Sequence, residues 1–441
     1  MEPFERRKYQ CECTTSEGGK ANCFLVNSIA LSCSNEDPWA PARIRKVRKD
    51  TPGVSHVVHF NSAGSSLPSK QTLDAVTDYL KEEATYGGYE TATLRESDLF
   101  RPYEELGRLL NCDPSEIAIV TSATEAWLQA IYGLAWTWVP GSRILTSLSE
   151  YGTNYITYLQ LKKRFKIEVE VIPETAKGDI CLSSLEREIN DGSKGPVALI
   201  SLTHIPTSSG RVYDAEGVGK LAKKYEIVYL LDACQSIGQL RVDVHEIGCD
   251  MLSGTGRKFL RAPRGSGFLY CSSEIMETFE PATLDVSSAE WQSGERYKMK
   301  PTAIRFEKYE MSFAAKVGLG IAVQYCNDAG IESIERRIQW LAFQLRSKLD
   351  SIDQVQVCDV GARLCGIVSF MIAGVPAGDV HTALQTEHGI STSVSRITSS
   401  RLDFENRRLV DIVRASVHYY NTTTEIEALV FAIKNIVGLK E

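Results

Sequence analysis

Three short segments carry residue types that can do chemistry together. In Tyr229-Leu230-Leu231-Asp232-Ala233-Cys234-Gln235, three apolar residues end in an acid. Such a run reads as a buried strand, and open α/β sheets bind ligands outside the carboxyl ends of their strands. Asp232 is therefore a candidate to face a cleft. Ser253–Gly267 (SGTGRKFLRAPRGSG) is glycine-rich and basic and lies between two apolar strand candidates. Flexible backbone with hydroxyl and guanidinium groups suits a phosphate. It is not a P-loop, because GxxxxGK[ST] is absent. In Val120–Trp127 (VTSATEAW) a strand ends, small hydroxyl residues follow and a helix begins. Exposed amides and the helix dipole make that point an anion site. Alone, Asp232 reads as a helix cap, Lys258 as a surface lysine, and Ser122 or Thr124 as an N-cap. Together they supply a phosphate cradle, a strand-end acid and a lysine 26 residues after it.

The elements that must position these residues alternate along the middle of the chain. Strand candidates are Ile117–Val120, Arg143–Ser147, Glu168–Ile172, Val197–Leu202, Ile227–Asp232, Met251–Gly254 and Gly267–Cys271. Helical stretches such as Ala126–Trp136, Asn154–Lys163 and Ala215–Tyr225 separate them. Apolar runs between helices point to an α/β unit with a mainly parallel sheet. Leu73–Ala84 and Leu94–Leu110 have helical spacing around a break at Tyr86–Glu90. A long helix is expected over Lys316–Leu349, broken near Gly330. Beyond it an α+β piece has strands at Val355–Cys358, Gly366–Ile372 and Arg414–Tyr420, and helices at Ala377–Glu387 and Thr424–Val437. The expected organisation is a poorly ordered extension over 1–50, an N-terminal arm over 51–84 packing with the small domain, a large domain over 85–325 and a small domain over 326–441.

Composition narrows the partners. The 441 residues suit two or three domains, and 43% hydrophobic with 24% charged residues is ordinary for a globular protein. A net charge of −7 argues against nucleic acid or an anionic membrane as main partner. No stretch approaches the roughly 18 continuous apolar residues of a membrane helix. Phe24–Cys33 is short, interrupted by polar residues and preceded by Glu2, Glu5 and Glu17, which argues against a signal peptide. Twelve cysteines, most standing singly, fit a reducing compartment, so a cytoplasmic location is expected. Cys11, Cys13, Cys23 and Cys33 lack the paired spacing of a zinc site, and no metal is expected.

This constellation resembles the class V aminotransferase family of pyridoxal-phosphate enzymes, which includes cysteine desulfurases and isopenicillin-epimerase-like proteins. The resemblance covers about residues 55–437. It implies fold type I: a mainly parallel seven-stranded sheet in a large domain, a smaller α+β domain, and a homodimer. By resemblance, Lys258 carries pyridoxal 5'-phosphate as a Schiff base, Asp232 pairs with the pyridine nitrogen and Gln235 meets the phenolic oxygen. Ala123 and Thr124 match the phosphate turn. Thr255 and Arg257 match two further phosphate contacts, where many relatives carry Ser and His. Tyr151 matches the residue stacked on the ring, where desulfurases usually place His. Thr207 falls where many relatives have Asn, and Arg414 matches the arginine that holds the substrate carboxylate. A lysine can bond the cofactor only when its amine sheds a proton, and Arg257 is the neighbour expected to promote this. Some relatives have a Gly-Thr pair after Arg-Phe-Glu that reaches the neighbouring subunit's phosphate. Here Arg305-Phe306-Glu307 is followed by Lys308-Tyr309-Glu310. Arg257 is expected to compensate.

The resemblance leaves the reaction to be chosen. A cysteine desulfurase needs a nucleophilic cysteine on a mobile loop shortly before the substrate arginine. The matching stretch, Gly389–Arg401 (GISTSVSRITSSR), has serines and no cysteine. The nearest upstream cysteine, Cys365, starts an apolar run and reads as core. The favoured reading is a carbon–sulfur β-elimination on an amino acid, as in sulfoxide lyases, with Lys258 as base and Tyr151 assisting the leaving group. Aminotransferase and epimerase chemistry share the same first proton removal and stay as alternatives. A non-catalytic protein of the same fold is the alternative of another class, against which the intact set Lys258, Asp232, Gln235 and Arg414 speaks.

Overall fold

The computed structural model describes residues 36–438. Its chain enters through a two-residue strand, β1 (Val58–His59), and then builds seven more: β2 (Ile117–Val120), β3 (Arg143–Ser147), β4 (Glu168–Ile172), β5 (Val197–Thr203), β6 (Tyr229–Asp232), β7 (Met251–Thr255) and β8 (Gly267–Cys271). These seven form one sheet in the order β2-β8-β7-β6-β5-β3-β4. Every neighbouring pair is parallel except the two that involve β8. The sheet is therefore mainly parallel and seven-stranded, as expected. Strands β2, β3, β6, β7 and β8 are buried along their whole length, which is why they read as apolar runs. The edge strand β4 carries Glu168 and Glu170, charges that discourage pairing with another chain.

The register sets the functional end of the sheet. Thr203 of β5 pairs with Asp232 of β6, and Asp232 pairs with Ser253 of β7. Thr255 of β7 pairs with Gly267 of β8. A Cβ at Gly267 would lie 2.7 Å from the Ala123 nitrogen, so only glycine lets β8 lie against the turn after β2.

The second layer of structure is a four-stranded antiparallel sheet of Val355–Val357, Ile367–Ile372, Ile412–Ser416 and Ser393–Ser395. Helices Ile331–Asp350 and Ala377–His388 pack on it, and Thr423–Ile436 packs against these two helices. The expected long helix is two, Phe313–Ala329 and Ile331–Asp350, parted by Gly330 at φ 78°. Strand β1 pairs in parallel with Ile390–Ser391, and Asn61 bridges to Ser416. Helix Lys70–Tyr86 buries Tyr79 against Ala314 and Val317.

Three expectations are corrected. Residues 36–50 are not a loose extension. Trp39 is 2% exposed, helix Pro41–Lys49 holds the whole basic run from Arg43 to Lys49, and Arg48 pairs with Glu425 at 2.7 Å. Cys11, Cys13, Cys23 and Cys33 lie outside the described residues. The strand expected over Arg414–Tyr420 stops at Ser416, because the His418 N–H donates to Asn421 Oδ1 in a turn. The serine-rich stretch read as loop contains the strand Ser393–Ser395, which pairs with Ile412–Arg414. Among the described residues, no helix is long and apolar enough to cross a membrane.

Candidate active site

At the carboxyl ends of β2, β5, β6 and β7 lies a cavity of about 260 Å³. One end is built for an anion. Ser122 caps helix Ala123–Ala135 by accepting the Glu125 N–H, and Ala123 and Thr124 line the cavity at that helix start. Thr255 and Arg257 line it from the end of β7, and Arg264, Gly265 and Ser266 complete the rim. The Arg257 guanidinium donates to the Gly64 carbonyl at 2.6 Å, a neutral partner. Burial pushes the Arg257 pKa down, and Arg264 adds to this as a like charge. Two guanidiniums beside a helix N-terminus fit a phosphate group.

The other end is built for a nitrogen heterocycle. Asp232 is 6% exposed. Its Oδ2 accepts from Asn154 Nδ2 at 3.0 Å and its Oδ1 from the Cys234 N–H at 3.0 Å. Gln235 donates through Nε2 to the Ala63 carbonyl at 3.2 Å and to Thr207 Oγ1 at 3.1 Å. Its buried Oε1 has no partner, so a hydroxyl or protonated oxygen of a ligand would complete it. The residues present thus fit pyridoxal phosphate at both ends.

Lys258 stands between these ends and lines the cavity. Its amine pKa is lowered, and burial is the largest cause. Cys234 and Asp232 oppose the shift, whereas Arg257 and Arg414 assist it. Arg257 thus favours the neutral lysine, as expected. Removal from bulk water does most of it, and Arg257 is a secondary contributor.

Tyr151, Thr207, Asp232, Gln235 and the lysine segment thus converge on one cavity, as do Ala123 and Thr124. Arg414 does not line it. The guanidinium sits behind Thr207, donating to its carbonyl at 2.8 Å and its hydroxyl at 2.9 Å, and to Ser393 Oγ at 3.0 Å. Asn61 Oδ1 lies 3.4 Å from Nη2. Burial lowers the Arg414 pKa to about 10, with Arg257 contributing as a like charge. All four acceptors are neutral, so its charge is available to a carboxylate. Asn154, Arg264, Thr203 and Cys234 were not singled out from the sequence. Arg264 stands in the basic segment and Cys234 beside Asp232, but nothing local distinguishes Asn154 or Thr203.

The stretch Gly389–Arg401 is fastened beside Tyr151. Ser400 Oγ donates to the Glu150 carbonyl at 3.2 Å. A Cβ at Gly152 would strike the Thr398 carbonyl, so the turn at Tyr151 and this stretch are in close contact. Just beyond, Asp403 meets the buried Arg211 at 3.3 Å, and Arg211 also pairs with Glu174. Cys365 is fully buried, and burial pushes its thiol up to about 12. After Glu307 the chain folds onto itself: Lys308 Nζ donates to the Thr283 carbonyl at 2.7 Å and the Tyr309 N–H to Asp285 Oδ2 at 2.9 Å.

A family model for class-V aminotransferases matches residues 58–429. A probable cysteine desulfurase of Methanothermobacter thermautotrophicus is 27% identical over 402 residues, covering 90% of this chain and 99% of that protein. The apo structure of a cysteine desulfurase from Thermococcus onnurineus NA1 superposes with a TM-score of 0.83 at 24% identity, over 92% of this chain and 99% of that one. The complex of the cystine C–S lyase C-DES with cysteine persulfide superposes with a TM-score of 0.76 at 21% identity, over 86% and 98%. The fold is that of the fold type I pyridoxal-phosphate enzymes.

Proposed function

The chain belongs to the class-V aminotransferase family, and from that premise we propose that it is a pyridoxal-phosphate-dependent lyase that eliminates a sulfur group from Cβ of an amino acid. The observation that carries this reading is the convergence of buried Lys258, strand-end Asp232 and an arginine-flanked helix start on one cavity.

Pyridoxal phosphate, when bound, supplies an electron sink for the pair left when a bond at the substrate Cα breaks. The chain's own groups do the rest. Arg257, Thr255 and the amides at Ala123 and Thr124 hold the phosphate. Asp232, held in place by its two hydrogen bonds, would accept the ring N–H. Arg414 pairs with the substrate carboxylate through its planar fork. Lys258, whose amine is shifted toward the neutral form, takes the Cα proton at Nζ. The Cβ–S bond then breaks, sulfur leaves with the pair, and the Tyr151 hydroxyl protonates it.

A persulfide on the protein is not part of this proposal. The wall beside Tyr151 presents serines, and Cys365 is buried with a raised thiol pKa. The same reading includes a homodimer in the cytoplasm. Tyr86, Tyr89 and Leu94, 59%, 74% and 67% exposed, are large apolar side chains on one stretch of chain for a second copy to cover. The eight described cysteines form no disulfide, which suits a reducing compartment.

The test is an absorbance spectrum followed by an amino-acid panel. A band at about 400–430 nm, lost in Lys258→Ala, is expected. Cysteine-type sulfoxides should release a keto acid and a sulfur product. Amino-group exchange or inversion without sulfur release would replace the lyase by an aminotransferase or epimerase. No band after soaking with the cofactor would overturn the enzyme reading.

A further inference from the structure

Glu150 is a buried carboxylate that the mechanism above does not use. It is 3% exposed, does not line the cavity, and is surrounded by donors from three directions. Oε2 accepts from the Thr146 hydroxyl of β3 at 2.7 Å and from the Tyr158 hydroxyl at 3.1 Å. Oε1 accepts from the Thr203 hydroxyl of β5, from the Tyr151 N–H at 2.7 Å and from Asn154 Nδ2 at 3.0 Å. Five donors satisfy both oxygens of this side chain where water is excluded. Burial still raises the Glu150 pKa, the Thr203, Thr146 and Tyr151 hydrogen bonds oppose the shift, and Asp232 adds to it as a like charge.

Asn154 joins this group to the cofactor floor. Its Nδ2 reaches Glu150 Oε1 and Asp232 Oδ2, both at 3.0 Å. An amide nitrogen has two hydrogens, and each is directed to a carboxylate. The opposite orientation would set the amide oxygen against both carboxylates, so Glu150 leaves the amide one favourable orientation. That orientation is the one that donates to Asp232. The other oxygen of Asp232 takes the Cys234 N–H, which leaves its remaining lone pairs for the cavity.

We propose that Glu150 is a positioning residue which, through Asn154, orients Asp232 toward the ring nitrogen of the cofactor. The proposal rests on the cavity being a pyridoxal-phosphate site. Glu150 touches neither cofactor nor substrate. It acts by fixing the Asn154 amide in the orientation that donates to Asp232 Oδ2.

The experiment loads the full-length protein with pyridoxal phosphate labelled with ¹⁵N in the ring and records the solid-state ¹⁵N shift of that nitrogen. The dissociation constant of the cofactor is measured by equilibrium dialysis. Glu150→Gln is expected to move the ring signal toward the unprotonated position and to weaken cofactor binding about tenfold, the weight of one charge-assisted hydrogen bond. In an Asn154→Ser background the same Glu150→Gln change should have no further effect on the shift. Tyr158→Phe, which removes a donor from the far oxygen and leaves the Asn154 link, should leave the shift in place. An unmoved signal in Glu150→Gln overturns the proposal. So does an equal effect with and without Asn154, or an equal effect of Tyr158→Phe. If Glu150→Gln does not fold, Asn154→Ser alone decides, with an unmoved signal again overturning it. A wild-type protein that takes up no cofactor overturns the functional reading itself, an outcome distinct from these.

Discussion

The floor of the cavity and the serine-rich wall packed outside it meet at Tyr151, yet they are made in different ways. The floor is a set of strand ends in register: Thr203 beside Asp232, Asp232 beside Ser253, and Thr255 beside Gly267. Ladder hydrogen bonds place those side chains, and Asn154 with the Cys234 N–H then aims Asp232. The wall, Gly389–Arg401, is made of short pieces, with a two-residue strand, a three-residue strand and a single turn of 3₁₀-helix. Short ladders to β1 and to Ile412–Arg414 hold its first half, and Ser400 ties its end to the Glu150 carbonyl. A floor inside a seven-stranded sheet tolerates little change in the residues it aims. A wall of short edge pieces can exchange its chemistry, here serine for the cysteine that a persulfide route requires. The difference teaches that cofactor binding and reaction outcome are encoded in separate parts of the structure.

That separation can be broken or sharpened by mutation. The largest effect is expected on the floor. Lys258→Ala should lower turnover at least about 10³-fold, the scale of a lost general base, with an unchanged melting profile. Substantial residual turnover would move proton transfer to another group. Next to the wall, behind Thr207, Arg414→Lys should raise KM for the amino acid by roughly 10–100-fold, since a point charge replaces a fork, and change kcat less. Steady-state kinetics would show it, and an unchanged KM would place the carboxylate elsewhere. Back at the floor, Arg257→Ala should weaken cofactor retention about tenfold in equilibrium dialysis, the cost of one charged contact. Unchanged retention would pass the phosphate clamp to Arg264 or to a second subunit. The smallest effect is expected at Cys365→Ala. Rates should stay within about twofold, because this thiol is a small core group. A collapse of sulfur release with folding intact would restore a cysteine-dependent route and dissolve the contrast between floor and wall.

Much of the floor was legible before the structure. Asp232 ends an apolar run, Ser122 opens a helix, and Lys258 stands in a glycine-rich basic segment. Each signal is local, and the sheet brings local signals together at one edge. The N-terminal segment was misread for the opposite reason. A basic run with few apolar residues looks solvated, but Arg48 finds Glu425 and the Trp39 indole donates to Ser333 Oγ at 2.9 Å. Those partners lie some 300 residues away and leave no trace in local composition. The neutral tendency of Lys258 was anticipated from the lesser of its causes. A neighbouring arginine is visible in the sequence, whereas removal from water is a property of everything packed around the amine.

The sequence by itself determined the alternation of strands and helices, the strand-end acid, the lysine and the absence of cysteine from Gly389–Arg401. These follow from periodicity and residue type, which are read within a few residues. Only the tertiary structure decided that Asn154 would lie between Glu150 and Asp232, that Arg414 would stand behind Thr207, and that the serine wall would close against Gly152. Such contacts join segments dozens to hundreds of residues apart. Strand order, register and packing set their distances, and no local pattern of residues carries that information.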